Sequence, residues 1–93
     1  MNFSKQYYDT YQNLPEELVN IYPNLNFENH CYLRIALDNT FQTKWDTVID
    51  RPAYKNLSPS KMDKVLKLLK HYKTDYKQLV EHNRNSINWR KNM

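Results

Sequence analysis

Glycine is absent from all 93 residues of this chain. The phosphate cradles of P-loop and Rossmann proteins need positions without a Cβ, so nucleotide binding by those routes is excluded. Helices stop most often on glycine, and asparagine is its nearest substitute there. The chain carries twelve asparagines, several at places where helices are expected to end. A plainer reading stands beside this one, because an excess of Asn, Lys and Tyr also follows from genome base composition. Cysteine is nearly absent too. The single Cys31 rules out an internal disulfide framework and agrees with a reducing compartment. One Cys and three scattered histidines, His30, His71 and His82, match no metal-ligand spacing, so neither a metal nor a cofactor is expected. No apolar run approaches the roughly 20 residues that span a bilayer. The opening MNFSKQYYDTYQ has no apolar signal-peptide core, so a cytoplasmic protein without a membrane partner is expected.

What is present describes a folded domain. Hydrophobic residues make up 40% and charged residues 26%, as in a globular chain rather than a disordered one. The length fits a single domain over residues 1–93, able to bury roughly 60–65% of its unfolded surface without staples. Charge is uneven. Residues 1–57 hold five Lys/Arg and seven Asp/Glu, a net of −2, while residues 58–93 hold nine and three, a net of +6. An acidic front joined to a basic back suggests an anionic partner or self-association.

The periodicity is helical throughout. Phe3, Tyr7, Tyr11 and Leu14 recur on one face of a first helix. Pro15 is expected to start a short second helix, with Glu16 and Glu17 in its first turn and Pro23 after its end. A helix over about residues 27–41 has apolar positions nearly all round its wheel, the signature of an element enclosed by others. It continues or restarts through Trp45, Val48 and Ile49 until Arg51-Pro52 stops it. Ser58-Pro59 reads as N-cap and first helical position of a helix carrying Met62, Val65, Leu66, Leu69 and Tyr72. Thr74-Asp75 opens a last helix whose expected face is Tyr76, Leu79, Val80, Asn83 and Ile87. No segment of useful length alternates with period two. The expected fold is all-α, a compact bundle of four to five short helices around the central one.

Several constellations carry candidate chemistry. Arg34 and Asp38 lie four apart inside the apolar helix, with Phe41 and Trp45 beyond them. A guanidinium beside a carboxylate and aromatics suits a ligand carboxylate or phosphate. The plainer reading is a structural ion pair, although the Arg-before-Asp order is the weaker helical orientation. The RPAYKN turn, with Arg51 and Tyr54, and the C-terminal NRNSINWR, with Asn83 and Arg90, are expected either to join Arg34, Asp38 and Trp45 in one polar pocket or to anchor loops. His30-Cys31 invites a catalytic reading. Helical neighbours point about 100° apart, however, and Cys31 sits on the apolar side as a small hydrophobe. Lys61, Lys64, Lys67, Lys70 and Lys73, extended by Lys77, form a basic ridge that is first a solvated face and second a nonspecific phosphate contact.

Across residues 29–90, the runs HCYLRIALDN, KWD, RPAYKNL and HNRNSINWR resemble a small uncharacterised family of bacterial and large-virus genomes. Some of its members bear an automatic acetyltransferase label, but the resemblance implies no established activity. The usual acetyl-CoA fold is a mixed sheet with a Gly-rich pyrophosphate loop, which a glycine-free helical chain does not supply.

Three functions are therefore expected to compete. The foremost is a small non-enzymatic adaptor, inhibitor or subunit that binds a protein partner, or a second copy, through exposed aromatics and its basic back half. Eight tyrosines and two tryptophans exceed what a core this size needs, and Tyr8 and Trp89 fall off the apolar stripes of their helices. The alternatives are nucleic-acid binding by the lysine ridge, and a small enzyme with a pocket around Arg34 and Asp38.

Overall fold

The computed structural model describes residues 5–91. Phe3, expected to begin the first helical stripe, lies outside the described residues. The first helix, α1, runs Lys5–Ile21 with Pro15 inside it. This corrects the expected break at Pro15. A mid-helix proline costs about 3 kcal/mol, through a lost N–H and a clash with the preceding turn. Tyr11, Leu14, Pro15 and Leu18 nevertheless form one continuous buried stripe across it. Each large apolar side chain buried there contributes about 1.5–3 kcal/mol, so the packing of the whole face outweighs the local penalty.

A 3₁₀ turn, Pro23–Leu25, leads to Asn26 with φ 56°, a left-handed position of the kind asparagine tolerates best after glycine. The central helix, α2, runs Asn29–Phe41, two residues shorter than expected at its start. Residues 35 to 40 are all buried in succession, so its second half is enclosed all round. It packs against α1 and against both C-terminal helices. Gln42 ends it at φ 57°, where its N–H bonds the Asp38 carbonyl.

Beyond Gln42 the chain does not continue as an α-helix. Trp45–Thr47 forms a 3₁₀ turn, the Arg51–Pro52 bond is cis, and α3 is the single turn Ala53–Asn56. The next helix, α4, runs Pro59–Tyr72 and starts as read from the sequence: the Ser58 Oγ accepts from the Lys61 N–H at 3.2 Å. The last, α5, runs Tyr76–Lys91, with the Asp75 carboxylate accepting from the Gln78 N–H at 2.9 Å.

The face of α5 differs from expectation. Tyr76 and Ile87 are 50% and 47% exposed, whereas Leu79 and Ser86 are buried. Turning the helix this way brings Asn83, Ser86 and Arg90 against α2, so a polar network and Leu79 set the orientation rather than the apolar stripe. Among the described residues there is no strand. The Cα radius of gyration is 12.5 Å, as for a compact domain of this length, about 12 Å. The fold is an all-α bundle around α2. No described helix is long and apolar enough to cross a membrane.

Candidate functional site

Asp38 is fully buried in the middle of α2 and its carboxylate is fully partnered. Oδ1 accepts from the Trp45 backbone N–H at 2.9 Å and Oδ2 from the Ser86 hydroxyl at 2.5 Å. Arg90 adds a side-on fork, with Nε donating to Oδ2 at 2.8 Å and Nη2 to Oδ1 at 3.1 Å. A bidentate guanidinium and two further donors offset the desolvation of a buried charge. The ion-pair partner of Asp38 is thus Arg90, not Arg34 as the four-residue spacing suggested. The weaker Arg-before-Asp orientation along a helix loses to the fork offered from α5.

Arg34 reaches past Asp38 to α5. Its Nη1 donates to the Ser86 Oγ at 2.7 Å and its Nη2 to the Asn83 Oδ1 at 3.0 Å. The Ser86 hydroxyl therefore relays between the two, accepting from Arg34 and donating to Asp38. Both partners of Arg34 are neutral, and no carboxylate lies within ion-pair distance of it among the described residues.

In front of this network lies a cleft of about 500 Å³ between α1, α2, the 45–54 segment and α5. Three guanidiniums line it, those of Arg34, Arg51 and Arg90. Tyr11, Trp45 and Tyr54 supply aromatic wall, Leu33 and Leu37 the apolar floor, and His30 and Gln12 further lining. Among the described residues no carboxylate lines it. Arg51 is held by the more buried Asp46 carboxylate and lies over the Trp45 ring at 5.1 Å. Burial alone would raise the Asp46 carboxyl, but the Arg51 hydrogen bond and the nearby Lys44 and Arg51 charges outweigh it and hold it below the usual range. Burial, with the neighbouring Tyr54 and Tyr8, pushes the Tyr11 hydroxyl up to about 12, so it stays a neutral donor.

Of the expected network, Arg34, Trp45, Arg51, Tyr54 and Arg90 meet at the cleft, while Asp38 and Asn83 stand behind it and fix the arginines. Phe41 does not roof the site; it lies under the Lys61 ammonium, 5.6 Å from its ring centre. His30 is exposed and pairs with Glu28 at 3.4 Å, and Cys31 is not among the lining residues. Tyr8 sits edge-on to Tyr54, with centroids 5.1 Å apart, and so extends the aromatic wall. Trp89 is half-buried in a separate groove with Asn39, Lys64 and His82. The lysine ridge is partly tied down, Lys67 to Asp63 at 3.1 Å and Lys73 to Glu17 at 3.0 Å.

Sequence reasoning passed over Ser86 and Tyr11. Ser86 falls three residues after Asn83 and four before Arg90, one helical face, and that spacing was its signal. Tyr11 looked like core and is both core and cleft wall.

No protein-family model, no curated protein and no solved structure matches this chain.

Proposed function

We propose that the protein is a non-enzymatic binding module that takes an anionic group into the cleft over Arg34. The observation that carries this reading is the state of Arg34. It is a half-buried guanidinium whose bonds go only to neutral acceptors, facing a cleft lined, among the described residues, by two further arginines and no carboxylate. A partly desolvated cation without a counter-ion is costly, and an incoming carboxylate or phosphate removes that cost with bidentate geometry. A cleft of this volume falls in the range of small-ligand sites, roughly 300–1,000 Å³. Binding rather than turnover is favoured because the lining pairs no nucleophile with a base: Cys31 is outside it, and His30 is engaged with Glu28. The acetyltransferase label of the resembling family finds no further support in these residues.

A second reading rests on Lys64, Lys70 and Lys77, which have no carboxylate within ion-pair distance among the described residues and are exposed, as nucleic-acid phosphates require. Thermal unfolding separates the two. Benzoate or phosphate, added against chloride at matched ionic strength, is expected to raise the Tm of the wild-type protein and of Lys64→Gln, but not of Arg34→Gln. Equal shifts in wild type and Arg34→Gln would remove the cleft reading.

A further inference from the structure

We infer that the cleft takes a small molecule bearing a phosphate monoester on a flat aromatic body, an inference that rests on the anion-binding reading above and names its ligand class. Three guanidiniums crowd one cleft, and each is tethered from behind. Ser86 and Asn83 hold Arg34, Asp38 holds Arg90, and Asp46 holds Arg51. Their positions are therefore set before any ligand arrives, which lowers the ordering cost of binding.

The tethers leave most of the donors unused. A guanidinium carries five N–H groups; Arg34 and Arg90 each use two of theirs in these bonds, and Arg51 uses one. A carboxylate satisfies one such fork. A phosphate monoester brings three terminal oxygens and close to two negative charges at neutral pH, so it can accept from several guanidiniums at once. The charge balance agrees. Asp38 and Asp46 are the carboxylates paired with the cleft arginines, Lys44 also approaches Asp46, and Arg34 has no direct carboxylate partner among the described residues, reaching Asp38 only through the Ser86 hydroxyl. Positive charge is left in excess where the cleft opens.

The rest of the wall asks for a flat apolar body. The Tyr11, Trp45 and Tyr54 rings line the same space, and two of them are braced: Arg51 covers Trp45, and Tyr8 lies edge-on to Tyr54. Aromatic faces and edges held in place favour a ring that can stack or meet them edge-to-face.

The test uses the full chain and four probes: phenyl phosphate, inorganic phosphate, benzoate and phenol, with affinities measured by calorimetry. Phenyl phosphate is expected to bind at least tenfold more tightly than each of the others near neutral pH. The pH response adds a second mark. The titratable and charged groups facing the anion are Tyr11 from α1, His30 (beside Glu28) and Arg34 from α2, Arg51 and Tyr54 from the 45–54 segment, and Arg90 from α5, with Asp38 and Asp46 behind. The informative quantity is the ratio of phenyl phosphate to benzoate affinity, in which whatever acts on both anions alike cancels. Between about pH 7.5 and about pH 5 the phosphate regains its second proton while a carboxylate stays ionised, so that ratio is expected to fall about tenfold. Arg51→Gln, with its folding checked by circular dichroism, is expected to weaken phenyl phosphate more than benzoate. Equal affinities for phenyl phosphate and benzoate with a constant ratio would overturn the phosphate monoester and leave the anion site standing. Equal affinities for phenyl phosphate and inorganic phosphate would overturn the aromatic body. Loss of all dependence on Arg34 would overturn the underlying reading itself.

Discussion

At the scale of single residues the site turns on which arginine neutralises Asp38. Arg90 does so directly from α5, while Arg34 touches it only through the Ser86 hydroxyl. Removing one partner of an enclosed ion pair leaves the other charge alone and costs about 3–5 kcal/mol. Removing Arg34 breaks two bonds to neutral acceptors, which remain near other polar groups, and costs about 1–2 kcal/mol. Urea unfolding is expected to show Arg90→Met strongly destabilised and Arg34→Met mildly so. Losses in the reverse order would mean that Arg34 carries the charge of Asp38 after all. The identities of these polar residues were legible because charges stand out in an apolar helical run. Their pairing was not, because four-residue spacing says only that two side chains share a face. The competing partner comes from 52 residues further along the chain, and a local rule has no view of it.

At the scale of elements, periodicity located every long helix, and terminal signals were read correctly where side chains cap them. Ser58 and Asp75 are such cases, each accepting a backbone N–H of its own first turn. Misreadings arose where tertiary packing opposed a local rule. Pro15 is carried inside α1 because the buried stripe runs through it, and α5 is turned so that Asn83, Ser86 and Arg90 face inward at the expense of Tyr76 and Ile87. The missing glycines leave their own mark at Gln42, which ends α2 in the left-handed region at φ 57°. A residue with a Cβ pays about 1–2 kcal/mol there, partly offset in a glycine by its larger unfolded-state entropy. Gln42→Gly is therefore expected to stabilise the protein by up to about 1 kcal/mol in thermal or urea unfolding. A clear loss of stability would show that the Gln42 side chain contributes more than its backbone strain costs.

At the scale of the whole molecule, the acidic front and basic back read from the sequence are joined by ion pairs across the fold. Asp38 meets Arg90 within the bundle and Glu17 meets Lys73 at its surface. These pairings use part of the charge difference between the halves, and part of the positive charge that remains lies at the arginine cleft and on the lysine ridge of α4. Sequence reading weighed the ridge and the pocket separately. Only the fold shows that the ridge is partly neutralised, and that the pocket gathers side chains from four elements around an arginine with no direct carboxylate partner among the described residues. The most direct measurement is an NMR titration of the isotope-labelled protein with phenyl phosphate, following backbone and arginine side-chain resonances together. Shifts concentrated at Tyr11, Arg34, Trp45, Arg51, Tyr54 and Arg90, and removed by Arg34→Gln, are the predicted result. Shifts confined to Lys64, Lys70 and Lys77, or none at the arginines at saturating ligand, would contradict the cleft as the binding site.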